Sequence, residues 1–190
     1  MAKITLGPQT LLYPMPAFLI GATVEGRPNF MTAAWCGIVC SEPPMASVAV
    51  RPHRHTFRGI KESGTFSINV PSASLVRETD FCGIVSGTEE DKTAACGFSV
   101  FYGKLENAPM VEECPVNLEC RVHGAIDLGS HTLFIGRIEE VHVSEEYLTD
   151  GRPDIAKIEP IVYGSGTKKA YYKVGPFLAH AFRVGLELRR

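Results

Sequence analysis

The sequence predicts a mainly β fold, an antiparallel barrel with few short helices, and three observations predict it. Its 18 Gly and 13 Pro are scattered as single turn signals rather than massed at one boundary. Short runs rich in β-branched and aromatic residues recur between those turns. The candidate helices are brief and sit singly between strands, without the regular alternation of a parallel sheet. At roughly 150 residues per domain, residues 1–190 are expected to form one domain with one core.

The first strand, residues 17–24, is apolar up to Glu25 and closes on the turn Gly26-Arg27-Pro28-Asn29. It is far short of the roughly 20 apolar residues that span a bilayer. Residues 30–35, 45–51 and 66–70 repeat the pattern. Between them Thr56 is placed to cap a helix over 57–63 that ends at Gly64, Ser72 a helix over 73–81, and Thr88 a helix over 89–96 before Gly97. A long hairpin follows. Val116, Leu118, Cys120 and Val122 alternate with polar residues, so one face of this ribbon is expected to be core. After the turn Asp127-Leu128-Gly129-Ser130, the apolar phase of the return strand shifts around Gly136, which predicts a bulge that bends the strand around a barrel.

Composition narrows function. Nineteen Lys plus Arg against 21 Asp plus Glu leave a net charge of −2, so no overall field would hold nucleic acid. Residues 1–9 carry no apolar stretch of signal-peptide length, and a cytoplasmic, non-membrane protein is expected. The six cysteines then stand as thiols, and with no C-x-x-C pair no metal site is expected. Neither G-x-S-x-G nor G-x-G-x-x-G is present, which disfavours a hydrolase elbow and a doubly wound dinucleotide site. The acidic pairs Glu89-Glu90, Glu112-Glu113 and Glu145-Glu146 read as solvated faces.

Two stretches carry chemistry. In Arg51-Pro52-His53-Arg54-His55-Thr56-Phe57-Arg58, the arginines would repel a divalent metal from the H-x-H pair. They suit an anion instead, with a hydroxyl and helix N-terminal amides converging on one phosphate; a solvated basic turn is the alternative. In Asn29-Phe30-Met31-Thr32-Ala33-Ala34-Trp35-Cys36-Gly37, small residues flank the one Trp along a strand, so a flat ligand can lie against the backbone.

Further pieces join these in order. They are Tyr13-Pro14-Met15-Pro16-Ala17-Phe18-Leu19-Ile20-Gly21, the stretch from Ile60-Lys61-Glu62-Ser63-Gly64-Thr65-Phe66 to Val70, Asp91-Lys92, and Gly129-Ser130-His131-Thr132-Leu133-Phe134-Ile135-Gly136. From about Leu12 to Tyr172 the ordered set resembles the flavin reductase-like, FMN-binding split β-barrel family, particularly its flavoredoxin branch. The resemblance implies a Greek-key split barrel, a homodimer, and one FMN per subunit near the dimer interface. It places Asn29, Thr32, Ala33, Ala34, Trp35 and Cys36 on the strand lining the flavin, and Arg51, Arg54 and Thr56 on the phosphate turn. It further implies that Lys92 reaches the flavin or its phosphate, that His131 lies near the ring, and that Tyr163 can cover it. The phosphate turn departs from the serine-rich form of many flavin reductases, so charge is expected to outweigh hydroxyls there.

The implied activity is redox transfer through FMN to a flavin, metal or protein acceptor. Two versions stay open: an NAD(P)H-dependent reductase, and an electron carrier fed by a redox protein. A non-redox module for another phosphorylated ligand is the third reading.

Overall fold

The computed structural model describes residues 1–166 and 168–189. β1 (Met15–Pro16) leads into β2 (Phe18–Val24), which pairs antiparallel with β3 (Arg27–Ala33). β4 (Cys36–Ser41) and β5 (Pro44–Val50) form the next hairpin, and α1 (His55–Ser63) leads to β6 (Thr65–Val70). A 3-10 turn (Ala73–Leu75) precedes α2 (Val76–Ile84), and α3 (Lys92–Cys96) follows. The two-residue strands β7 (Val100–Phe101) and β8 (Met110–Val111) pair before the long hairpin of β9 (Val116–Asp127) and β10 (Thr132–Val143). A small pair, β11 (Leu148–Thr149) and β12 (Arg152–Pro153), and α4 (Ile155–Ile158) lead to β13 (Ile161–Gly164) and β14 (Ala170–Lys173).

Seven strands make one antiparallel sheet in the order β3-β2-β6-β9-β10-β5-β4. It curls until β3 lies near β5 without pairing to it, leaving the barrel split there. A second sheet, β1-β13-β14, stands beside it and reaches α2 through the hydrogen bond from Tyr171 to Asp80. Inside the barrel, Ile20, Met31, Val48, Val50, Phe66 and Phe134 share one buried cluster. On the other side of β2 and β3, Leu19, Phe30, Cys82, Phe98, Val111 and Cys114 form another.

Several boundaries differ from expectation, each for a local reason. The first turn is Glu25-Gly26, both at positive φ (51° and 77°), so β3 begins at Arg27. Two positive φ values give the turn whose twist matches the flanking strands. α1 begins one residue before Thr56; that side chain is buried and accepts a 2.7 Å hydrogen bond from Asn29 Nδ2 instead of capping. Gly64 does end the helix, at φ 68°. The Ser72 hydroxyl pairs with Ser74 Oγ at 2.6 Å, and the chain makes a 3-10 turn before α2. α3 starts late because Asp91, not Thr88, is its cap: the carboxylate accepts from Ala94 N at 3.1 Å.

The long hairpin shows the expected irregularity, with a register shift between Ile135 and Gly136 and a second between Ile138 and Glu140. Its other face is not simply solvated. The segment preceding β9 covers it, so Asn117 and Glu119 are buried and hydrogen-bonded.

Candidate functional site

A cavity of about 450 Å³ opens where the barrel is split. Its floor is the end of β3 with the residues after it, Thr32, Ala33, Ala34 and Trp35, joined by Ala17 and Ala49. Four alanines leave the backbone accessible to a flat molecule, which larger side chains would hold off. Thr32 is fixed by donating its hydroxyl to Thr79 O, which ties β3 to α2. Trp35 stacks on His131, centroids 4.6 Å apart and planes at 40°. Burial, then the cations of Arg51 and His53, hold the His131 pKa below its usual 6.5.

The remaining walls come from α2 and the small sheet. Asp80, Gly83 and Ile84 line one side; Tyr163, Lys169 and Tyr171 line another. Tyr171 donates its hydroxyl to Asp80 Oδ1 at 2.9 Å, joining the two walls. Burial, then that carboxylate, push the phenol's pKa well above its usual range. Arg51 and Arg54 stand at the cationic end, where Arg54 Nη1 donates to Gly83 O at 3.0 Å.

Arg54, Met31 and Ile84 also belong to an adjoining annex of about 150 Å³, which is lined further by His53, His55, Thr56, Val85, Ser86, Gly87 and Lys92 and by one carboxylate, Glu89. Lys92 is only 4% exposed, and its ammonium donates to Phe30 O at 2.8 Å and Cys82 O at 3.0 Å. Among the described residues no carboxylate pairs with it. Desolvation lowers its pKa; the nearby Cys82 thiol opposes this and Arg54 adds to it. Two neutral acceptors leave the third N–H and the charge uncompensated, an arrangement an anion would complete.

The structure thus gathers Thr32, Ala33, Ala34, Trp35, Arg51, Arg54, His131 and Tyr163 around the main cavity, and Thr56 and Lys92 around the annex. Asn29 lies behind Thr56, its side chain packed against Gly87 of the annex wall. Cys36 departs from the expected set. It is not part of the main cavity's lining; it borders a separate apolar one with Leu11, Leu12 and Met15, and packs against the barrel core. Burial pushes its thiol up to about 12, which makes it a packing residue. Sequence reasoning missed Asp80, Lys169 and Tyr171, because no pattern links α2 to a strand 91 residues away. The small Ala17 and Ala49, set among larger strand residues, were a readable signal.

The fold is thus a split antiparallel barrel with a flat, small-residue cavity beside an annex that carries Arg54 and Lys92. The model of the flavin reductase like domain matches residues 10–170, and the chain belongs to that family. Its structure superposes on a flavoredoxin from Methanosarcina acetivorans with a TM-score of 0.94 at 39% identity, covering 99% of this chain and 100% of that one. A flavoredoxin of Desulfovibrio vulgaris (Miyazaki F) gives 0.90 at 44% identity, covering 97% and 100%. A protein of Archaeoglobus fulgidus with no assigned activity is 38% identical over 145 residues, 76% of this chain and 80% of its own.

Proposed function

We propose that this chain is an FMN-binding redox protein of the flavoredoxin type. The observation that supports it most is the junction of a flat cavity with an annex whose buried Lys92 lacks a carboxylate partner. The annex, at about 150 Å³, suits one phosphate monoester rather than a second nucleotide. The residues therefore fit FMN. Lys92, Thr56 and Arg54, with the first amides of α1, would hold the phosphate. Thr32 to Trp35 would offer backbone groups to the ring, His131 a ring nitrogen, and Tyr163 a cover; Asn29 supports Thr56 from behind.

Bound FMN supplies hydride and single-electron transfer. The protein's share is electrostatic and steric. Lys92 and the arginines neutralise the phosphate, while neutral His131 presents a ring nitrogen without adding charge. The second sheet limits water on the outer side. A homodimer fits the exposed apolar side chains of the edge strand β4, where Ile38 and Val39 are 69% and 51% exposed. No helix among the described residues is long and apolar enough to cross a membrane, and a cytoplasmic setting suits the thiols.

Purified protein should be yellow and should quench FMN fluorescence on titration; colourless protein that leaves FMN fluorescence unchanged overturns the flavin reading and favours the non-redox module. Anaerobic mixing then separates the two redox versions. Rapid bleaching by NADH or NADPH marks a reductase, whereas bleaching only by a reduced ferredoxin marks a carrier. Sedimentation of the FMN-loaded protein as a monomer would overturn the dimer.

A further inference from the structure

Tyr163 borders both the main cavity and a separate groove of about 450 Å³, whose walls include Tyr13, Pro14, Lys168 and Tyr172. The groove lies on the second sheet, where β13 and β14 set Tyr163 opposite Tyr171 and Val162 opposite Tyr172. Side chains alternate across a strand, so Tyr171 turns to the main cavity and Tyr172 to the groove. One aromatic ring is therefore shared between the space assigned to the cofactor and an outer surface, on which Tyr13 and Tyr172 are 50% and 54% exposed. Apolar surface continues past the groove: Leu12 and Val174, beside its ends in sequence, are 80% and 42% exposed. The groove's lining holds a cation and no carboxylate. Among the described residues neither Lys168 nor Lys169 has a carboxylate partner, whereas Lys173 is balanced by Glu159 at 3.1 Å. A chain with a net charge of −2 thus carries a locally basic, aromatic face.

An exposed patch with tyrosines at its centre and lysines at its rim has the make-up of a protein contact, and it is broader than a small molecule needs. Its charge selects the partner, since a basic rim speeds the approach of an acidic protein and repels a basic one. We propose that this face of the second sheet is the docking surface for a small acidic one-electron carrier protein of the ferredoxin type, with Tyr163 standing between the docked protein and the cofactor cavity. The inference rests on the reading that the cavity holds FMN. Each encounter oxidises one reduced carrier by one electron; two encounters and one proton from solvent bring FMN to its reduced anion, so the electrons balance without a nicotinamide. Lys168 acts through its field and Tyr172 through direct contact. The complex should therefore form at low salt and weaken as salt screens the rim, as suits a carrier that must dock and leave.

The probe is an acidic plant-type ferredoxin, oxidised and carrying a fluorescent label, titrated into FMN-loaded protein. Titrations run at about 10 mM salt and at about 1 M, where charges are screened beyond about 3 Å. Lys168→Glu should weaken ferredoxin binding about tenfold at low salt and differ little from wild type at high salt, the pattern of a rim charge. Tyr172→Ser should weaken it at both. Each variant should keep the wild-type Kd for FMN, which also shows that it folds; Lys168 is exposed, so its exchange decides the matter even if Tyr172→Ser does not fold. Unchanged affinity in Lys168→Glu at low salt overturns the proposal. So does competition by AMP for the bound ferredoxin, which would make the groove a nucleotide pocket, or conversion of a wild-type dimer to monomers by Lys168→Glu, which would make it the face between two copies. Wild type that takes up no FMN removes the flavin reading and the inference with it, whereas a yellow protein indifferent to ferredoxin removes the inference alone.

Discussion

The ammonium of Lys92 donates to the carbonyl of Phe30 at 2.8 Å, so a cation on the first turn of α3 is anchored to the backbone of β3 beneath the annex. The anchor fixes the charge in position but does not neutralise it. Replacing Lys92 with Met keeps the length and removes the charge. A charge-assisted hydrogen bond is worth about 1.5–3 kcal/mol, so FMN affinity should fall roughly 10- to 100-fold, read by fluorescence titration. The FMN-free variant should be no less stable than wild type, since it buries no unpaired cation. Desolvation depresses the folded pKa of Lys92 below the ordinary 10.5, so the folded state holds fewer protons than the unfolded one between those values. FMN-free stability therefore gains from this group as pH rises toward 10.5, while FMN affinity weakens over the same window. Equal FMN affinity in Lys92→Met would make the residue purely structural.

His131 and Trp35 give an optical version of the same logic. Trp35 is the only tryptophan, and its ring centroid lies 4.6 Å from that of His131. The folded pKa of His131 is depressed below 6.5, so its contribution to stability is present above 6.5 and is lost as pH falls through the folded value. Protonation should quench the Trp35 emission, with a midpoint below 6.5. His131→Gln should abolish that titration and flatten the accompanying loss of thermal stability. A midpoint at or above 6.5 in FMN-free protein would contradict the assigned environment.

Much of this layout was legible in the chain, and the illegible part has a physical pattern. The strands and the bulge at Gly136 followed from alternation, which depends only on neighbouring residues. Gly64 and Gly97 ended their helices as read, because positive φ is a local demand that glycine meets best. Helix starts were less legible. Thr56 and Ser72 have the right chemistry for caps, yet other partners, the distant Asn29 and the neighbouring Ser74, claim their hydroxyls. In the site, the strand and turn residues could be found in sequence, since they lie on contiguous stretches. Asp80 and Tyr171 could not, because their meeting depends on how the second sheet folds back over α2.

Gly136 tests the bulge. A Cβ there would sit 2.6 Å from Cε1 and Cζ of Phe66, whose ring is fully buried. Gly136→Ala should destabilise by about 1–3 kcal/mol, the usual cost of overpacking a core, seen as a lower urea midpoint with unchanged slope. Phe66→Leu alone should also destabilise, by leaving a void. The double variant should be more stable than the sum of the two predicts, because the shortened side chain vacates the space the new methyl needs. Simple additivity would place the clash elsewhere.

Glu119 tests the covered face of the long hairpin. Its side chain is fully buried; Oε2 accepts from Leu105 N at 2.6 Å and Oε1 lies 2.7 Å from His142 Nε2. The first bond fastens the segment before β9 onto the outside of the barrel, and the second ties Glu119 to β10. Glu119→Ala removes the acceptor of the Leu105 amide and opens a void, and should cost about 2–4 kcal/mol, an unmet buried donor plus lost packing. Glu119→Gln keeps the shape and can still accept from Leu105 N, so it should cost less, about 1–2 kcal/mol. Hydrogen exchange separates this local fastening from a global effect. The amide of Leu105 should lose protection in Glu119→Gln before the β9 and β10 amides do, because the segment can lift while the barrel ladder stays paired. Equal loss of protection throughout would mean that the carboxylate holds up the barrel itself and not only its outer cover.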